Sequence, residues 1–293
     1  MATRARLGLL ASVAVALLLG ACGKDAPRSS SLVDDNRRAP VNGFAIDESS
    51  GEILLATNRG LFRISGDEAE RIHSTVATPD GTGPVGTFLA FTRTGPGELL
   101  GSGHPDEKGR IAPFLGLIRS TDGGRHWRTV SRYGFADLHT LRRAHGRLYA
   151  YDAVLGGMLV SEDGGRNWEE SFTPSGLALD FVVDPADGDQ LLLSYEQRIV
   201  SSSDRGRSWQ PLVGADRARL AWPAEDVLYR ADQSGEVFES GDGGASWSLV
   251  GILDGEPWKL MSIDSDHLYA VLRDASVMES TDGGRNWEAV FTP

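Results

Sequence analysis

The sequence is nearly free of cysteine. Among its 293 residues Cys22 is the only one, which excludes an intramolecular disulfide framework. The stability of the folded part must come from a buried apolar core. A chain of about 270 residues is long enough to bury one.

Basic runs are also missing. The formal net charge is -12, and the 26 arginines and 3 lysines are scattered along the chain. Non-specific nucleic-acid binding depends on clustered cations that neutralise phosphates. The composition therefore argues against a nucleic-acid partner.

Long hydrophobic runs are limited to one segment near the N-terminus. "LGLLASVAVALLLG" follows the basic start "MATRAR" and leads into "LGAC". It is shorter than the roughly 20 residues that a membrane-spanning helix needs. The pattern predicts a signal peptide over residues 1–21 that ends in a lipobox, in preference to a plain secretory signal.

Cys22 stands where cleavage would leave a lipidated first residue, which resembles bacterial lipoproteins. We therefore expect an exported monomer anchored by an N-terminal lipid at the outer side of the bacterial cytoplasmic membrane or in the cell envelope. The polar stretch after the cysteine has no periodicity and contains Pro and Ser. It predicts a flexible tether over residues 22–40, followed by a single folded domain over 41–293.

The most regular feature of the chain is a repeat of S-x-D-x-G-x-x-W. It starts at Ser120, Ser161, Ser202, Ser240 and Ser280, at intervals of 38 to 41 residues. Each copy follows a short β-prone run, and further short runs separated by turn residues fill the rest of each period. Four strands in about 40 residues are typical of a propeller blade.

Two earlier periods carry the same runs, such as "GEILLAT" and "GLFRIS", although the motif of the first has changed to "ISGDEAER". We therefore predict an all-β, six-bladed propeller of four-stranded antiparallel blades. Seven blades are the less favoured count.

The repeated aspartates have a structural explanation. An aspartate between the third and fourth strands can accept hydrogen bonds from the N–H groups of its own turn, glycine allows positive φ, and tryptophan buries a large apolar surface. Five copies distributed around a ring do not converge on one substrate. We interpret these pairs as turn fastenings: Asp122 and Trp127, Asp163 and Trp168, Asp204 and Trp209, Asp242 and Trp247, Asp282 and Trp287.

The motif resembles the Asp-box, or BNR, repeat of sialidases, sortilin-type receptors, some xyloglucanases and photosystem assembly factors. "SGHP" at 102–105, "LGLIRSTDGGRHW" and "ADLHTLR" at 136–142 are similar to a bacterial group of secreted or lipid-anchored, sialidase-like repeat proteins often labelled glycosyl hydrolases. The resemblance implies the propeller fold and leaves the activity open. The His-x-His-Gly start of that group is replaced by Pro40-Val41-Asn42-Gly43.

Resemblance to sialidases would require an early arginine on a first strand. "FRIS" contains Arg63, but in the alignment of the repeats Arg63 is equivalent to Arg119 of the next period. That position belongs to a third strand. We interpret Arg63 as an ordinary blade residue. Tyrosines and carboxylates at the ends of second strands keep a glycoside hydrolase open as an alternative.

The order of strands in each repeat places the motif turns on one face of the propeller, called here the lower face. We expect a ligand site on the opposite, upper face, where loops lie over a rigid scaffold. The residues expected on the upper rim are Arg59, His104, His139, Tyr151, Asp152, Tyr195, Glu196, Asp232, Arg273 and Asp274.

The sequence shows no nucleophile elbow, phosphate loop or dinucleotide loop. We expect no cofactor and no metal, and catalytic residues stay unassigned. The favoured function is a binding or scaffold module whose upper face takes an unknown protein or glycan ligand. A glycoside hydrolase that uses rim carboxylates and tyrosines is the first alternative, and a metal site on His104 and His139 is the second.

Overall fold

A computed structural model describes residues 32–34, 37–47, 50–106, 110–174, 176–195 and 198–293. All regular secondary structure in these ranges is β-strand. The segment predicted to be a signal peptide, Cys22 and Glu196 lie outside them. Within the described ranges no helix is long and apolar enough to cross a membrane.

The strands form six sheets in a ring and one two-stranded sheet that precedes them. The small sheet pairs β1 (Val33–Asp34) with β2 (Arg37–Arg38). Blade I consists of β3 (Val41–Asp47), β4 (Glu52–Thr57), β5 (Gly60–Ser65) and β6 (Glu68–Ile72). The next sheet, called here the five-stranded sheet, consists of β7 (Thr75–Thr78), β8 (Gly81–Gly95), β9 (Glu98–Pro105), β10 (Leu117–Ser120) and β11 (His126–Ser131).

Four further four-stranded blades complete the ring. Blade II consists of β12 (Leu138–Ala144), β13 (Arg147–Asp152), β14 (Gly157–Ser161) and β15 (Glu169–Phe172). Blade III consists of β16 (Ala178–Val183), β17 (Leu191–Tyr195), β18 (Arg198–Ser202) and β19 (Gln210–Asp216). Blade IV consists of β20 (Arg219–Ala224), β21 (Val227–Ala231), β22 (Glu236–Ser240) and β23 (Ser248–Ile252). Blade V consists of β24 (Pro257–Ser262), β25 (Leu268–Leu272), β26 (Val277–Ser280) and β27 (Glu288–Phe291).

The prediction of an all-β propeller built from four-stranded antiparallel blades is confirmed, but the predicted count of six such blades was wrong. Five sheets have that form, and the remaining sheet has five strands and closes on itself. Its β8 is 15 residues long and pairs with β7 through its first part and with β9 through the rest. Strand β7 then pairs in parallel with β11. A short extra hairpin at Thr78–Gly81 therefore makes this sheet different.

The innermost strands β3, β8, β12, β16, β20 and β24 each contact the next one around the ring, and β24 contacts β3. They line a central channel. The apolar core lies between neighbouring sheets: Tyr149 of blade II, for example, is buried with Phe181 of blade III. Because each sheet buries both faces against its neighbours, the middle strands are apolar almost throughout, as in "RLYAYD" and "LLLSY".

Blades I and V meet in one apolar cluster. It includes Phe44 and Phe62 from blade I and Val271 from blade V. Leu32 and Ala39 join the same cluster and are almost fully buried, at 2% and 1% exposure. The last part of the segment predicted to be a tether, residues 22–40, therefore packs on the closure of the ring.

The direction of the strands defines two faces. Each innermost strand of the four-stranded blades enters from the upper face and ends in a hairpin at the lower face. In blade II that hairpin is closed by His145 and Gly146, which both have positive φ, at 50° and 73°. Such a pair matches the tight two-residue turn that right-twisted strands prefer. The turns that carry the repeated motif lie on the same lower face, because they too follow an upper-to-lower strand.

Candidate functional site

The five motif turns share one hydrogen-bonding pattern. In the turn of blade II, the Ser161 hydroxyl donates to Asp163 Oδ1 at 2.9 Å, and Gly165 N donates to Ser161 Oγ at 2.8 Å. Asn167 donates its main-chain N–H to Asp163 Oδ1 at 2.9 Å and its side-chain amide to Oδ2 at 2.7 Å. Both carboxylate oxygens are thus occupied within the turn.

The same contacts recur at Asp122, Asp204, Asp242 and Asp282. Hydrogen bonds to the charged form lower a carboxyl pKa. The bonds from Asn286, first its side chain and then its main chain, lower the pKa of Asp282 to about 2. Each of these carboxylates is held as an anion by its own loop, and its oxygens are used locally.

The glycine two residues after each motif aspartate brings the turn against the preceding sheet. Gly165 has φ +87°, and a Cβ at this position would lie 2.2 Å from Cδ2 of the buried Leu117. The glycine before it, Gly164, also has positive φ but has open space around it. The motif therefore fastens one sheet to the previous one. Trp127 is 1% exposed, and the tryptophans Trp168, Trp209, Trp247 and Trp287 are partly buried.

Several of the residues predicted for the upper rim are buried in the blades or hydrogen-bonded within their turns. Tyr151 and Asp152 end β13 and are each 2% exposed. Asp152 Oδ1 accepts the main-chain N–H groups of Asp137 and Val154, at 3.1 and 2.9 Å. Both side chains are therefore part of the blade and its turn.

The carboxylates Asp232 and Asp274 accept N–H groups of their own turns, from Ser234 and Ser276, each at 2.9 Å. Tyr195 packs its ring on the apolar cluster between blades II and III. Arg59 lies in the turn between β4 and β5, where its main-chain N–H donates to the Thr57 hydroxyl at 3.0 Å. Arg63 lies on β5 and pairs with Glu52 at 2.5 Å, away from the channel.

His104 and His139 lie close together because both contact Asp137. Their Nε2 atoms are 3.2 and 3.1 Å from Oδ1 and Oδ2 of Asp137. The hydrogen bond to Asp137 raises the pKa of His104, and the two imidazoles hold the pKa of Asp137 well below its usual range despite its burial. The His104 ring also contacts Phe114 edge-on, with 5.6 Å between ring centroids.

This group of three side chains does not form a metal centre in the described ranges. No three His, Cys, Asp or Glu residues there are arranged to hold an ion. The Nε2 atom of each imidazole contacts Asp137. The group is therefore described as two histidines that share one carboxylate.

The channel contains three successive cavities. The upper one has a volume of about 150 Å³, the middle one about 60 Å³ and the lower one about 470 Å³. Asn42, Thr140 and Lys259 line both the upper and the middle cavities. Phe44, Phe91 and Met261 line both the middle and the lower ones. The middle cavity is thus a narrow section between two wider ends.

Two cations at the upper end lack an ionic partner. Lys259 and Arg219 line the upper cavity, and neither forms an ion pair with a described residue. Arg219 is 4% exposed, its Nη1 donates to the Leu179 carbonyl at 2.8 Å, and its Nε is buried without an acceptor. Burial lowers the pKa of this guanidinium to about 10.

Lys259 makes no hydrogen bond with the described part of the chain, although part of its side chain faces the lumen. Burial within the protein, followed by the charge of Arg219, lowers the pKa of Lys259 to about 7. A nearby negative charge would stabilise the protonated form of this amine.

Trp258 adds an aromatic wall to the same cavity. Arg219 and Arg273 approach its ring, with their Cζ atoms 4.9 and 5.0 Å from the ring centroid. Arg273 also pairs with Glu256 at 3.0 Å. The narrow section below holds the one ion pair of the lining, between Arg142 Nη2 and Asp180 Oδ1 at 2.8 Å.

Of the predicted rim residues, His139 therefore lines the upper cavity. Arg273 contacts Trp258 in that lining, and His104 lies next to His139 because both contact Asp137. The sequence reasoning missed Lys259, Arg219, Trp258, Asp180 and Arg142. One signal was available: the innermost strands "ALDFVV", "RLAWPA" and "PWKLMS" each carry a single charged residue in a largely apolar run. In a propeller such positions face the channel.

The channel contains one carboxylate among its described lining residues, Asp180, and that carboxylate is paired with Arg142. Glycoside hydrolysis generally uses two carboxyl groups on either side of the scissile bond. The described channel does not supply the second one.

Comparison with protein families and with curated proteins gives no match. Similar solved structures are propellers of low sequence identity. YCF48 bound to D1 peptide is 15% identical, with 86% of this chain and 78% of that chain covered and a TM-score of 0.56. A chain of the nidogen/laminin complex is 14% identical, with 83% and 93% covered and a TM-score of 0.56.

An ancestral GH74 enzyme is 14% identical, with 85% of this chain covered and a TM-score of 0.55. The present chain spans only 38% of that enzyme's length. At such identities the likenesses show the β-propeller fold alone.

Proposed function

We propose that this chain is a binding module that holds an acidic segment of a peptide or protein partner at the upper end of its channel. The observation that carries the proposal is the pair of unpartnered cations, Lys259 and Arg219, beside Trp258. Buried charges without partners are costly unless a ligand compensates them. The chain as a whole carries a net charge of -12, so this local excess of positive charge is specific to the channel.

A peptide ligand suits the geometry. The upper cavity, at about 150 Å³, is large enough for a carboxylate side chain and too small for a drug-sized molecule. The rest of a partner would lie across the loops of the upper face. Two structural neighbours, YCF48 bound to D1 peptide and the chain of the nidogen/laminin complex, come from complexes with a peptide or protein.

The cellular setting of the proposal rests on the first 22 residues. We propose that the chain is exported, cleaved before Cys22 and lipidated there, as an Asp-box propeller lipoprotein acting as a monomer outside the cytoplasmic membrane. Replacing Cys22 by Ser should move the protein from the membrane fraction to the soluble extracytoplasmic fraction. An unchanged distribution would contradict lipidation.

The binding proposal is tested by calorimetric titration of the full chain with an acetylated, amidated hexaglutamate peptide. The hexaglutamine peptide serves as the neutral counterpart. We expect the glutamate peptide to bind and the glutamine peptide not to bind. Lys259→Met and Arg219→Gln should each weaken binding about tenfold or more, because a buried charge-assisted contact contributes about 1.5–3 kcal/mol.

The exposed Arg119, which pairs with Glu98 at 2.9 Å outside the channel, gives the control Arg119→Gln, which should bind normally. Binding should also weaken as the pH rises through about 7, where Lys259 loses its charge. Equal binding of both peptides, or unchanged binding by a folded Lys259→Met variant, would overturn the proposal.

A further inference from the structure

The lower end of the channel has a cavity of different character. It measures about 470 Å³ and opens on the face that carries the motif turns. Most of its lining residues are apolar, among them Phe44, Phe91, Leu141, Val182 and Met261, while polar atoms supply much of the exposed wall. A volume of this size lies within the range of small-molecule sites.

The charged groups in the described lining of this lower cavity are all basic. Arg142 is neutralised by Asp180, whereas Arg143 at the exposed mouth forms no ion pair with a described residue. Arg143 Nη1 donates only to the Thr94 carbonyl, at 3.3 Å. His145 completes the basic side of the mouth, and its Nε2 is 2.8 Å from the Asp184 carbonyl.

From these two features we propose that the lower cavity binds a small amphipathic carboxylate, with an apolar tail or ring as its body. The body packs on Phe44, Phe91, Val182 and Met261. The carboxylate lies at the mouth with Arg143. The site is separate from the upper one, because the narrow section that holds the Arg142–Asp180 pair lies between them.

The test is calorimetric titration of the full chain with decanoate, with decanamide as the neutral analogue of the same length. We expect decanoate to bind with a Kd of about 0.1 mM or lower, corresponding to roughly -5.5 kcal/mol. Arg143→Gln should weaken decanoate about tenfold and leave decanamide unchanged.

Met261→Trp fills the cavity and should abolish the binding of both. If that variant does not fold, Arg143→Gln still decides the question, because its side chain lies at the exposed mouth. Lys259→Met belongs to the upper cavity and should bind decanoate normally, so that failure of one site is distinguished from failure of the other. No heat from decanoate up to about 1 mM, or equal binding by a folded Arg143→Gln variant, would overturn the proposal.

Discussion

The motif turns of the lower face and the upper part of the channel place charged residues under opposite conditions. In the turns, Asp163 and its four counterparts lie near solvent and have both carboxylate oxygens bound by the same short loop. In the channel, Lys259 and Arg219 belong to no repeated motif and have no ion pair with a described residue. Arg219 is 4% exposed, and Lys259 is partly buried. A carboxylate that recurs in every turn and is fully hydrogen-bonded there has a structural role. A charged side chain without such local partners is the better candidate for contact with a ligand.

The largest effect should come from the channel. Asp180 is 2% exposed, and it is the one carboxylate of the described lining among Arg142, Arg219 and Lys259. Asp180→Asn should lower the free energy of unfolding by about 3–5 kcal/mol, because it leaves buried cations uncompensated. Urea unfolding of the full chain measures this.

The contrast is sharpened by repeating the substitution in a Lys259→Met background. In that background the effect of Asp180→Asn on the free energy of unfolding should be smaller by about 1 kcal/mol or more than in the unmodified chain, because the charge of Lys259 is already absent. Equal losses in the two backgrounds would mean that Asp180 acts through its main-chain hydrogen bonds, to Phe181 and Leu220, and not through the channel charges.

The next effect concerns the motif turns. Gly165→Ala should destabilise the protein by about 2–4 kcal/mol, because it adds a clash with Leu117 to the strain of positive φ. Gly164→Ala, one residue earlier, has the strain alone and should cost about 1 kcal/mol. Thermal unfolding of both variants measures how much the contact between the sheets contributes to stability. Similar losses of stability in Gly165→Ala and Gly164→Ala would show that the turn does not fasten to the preceding sheet.

The smallest effect should come from the rim, where His104 meets Asp137. Because Asp137 raises the pKa of His104, protonation favours the folded state. That contribution is fully present below the ordinary value of 6.5 and is lost as the pH rises through the raised pKa of the folded protein. The imidazole is about a third exposed, so the contribution should be about 1 kcal/mol or less.

Unfolding at pH 5.5 and pH 8.5 should therefore show a smaller pH dependence in His104→Gln than in the unmodified chain. The exposed His73 gives the control His73→Gln. An equal pH dependence in all three proteins would contradict a role for the His104–Asp137 pair.

The repeat was sufficient to predict the propeller and the lower face of its turns. Ser161, Asp163, Gly165 and Trp168 act within a few residues of one another, so their pattern can be interpreted from local chemistry. The blade count failed because the hairpin at Thr78–Gly81 pairs β7 with β8 as well as with β11. Pairing between distant strands has no local signature.

Only part of the upper rim was predicted correctly, because contacts between distant strands have no local signature in the sequence. The repeat phase places His104 and His139 on the upper face, but Tyr151 and Asp152 at equivalent strand ends turn out to be buried in their blade. Whether a strand-end side chain faces solvent or a neighbouring blade depends on how adjacent sheets pack. The sequence alone does not contain that packing angle.

The sequence by itself determined the all-β repeat, the locally satisfied turns and, because Cys22 is the only cysteine, the lack of an intramolecular disulfide. Only the tertiary structure decided that Asp180, Arg219 and Lys259, each from a different blade, share one channel. It also decided that Trp222 and Arg143 border one cavity. Turn hydrogen bonds are made between neighbours in the chain, whereas burial and unpaired charge arise only when distant strands close into a ring.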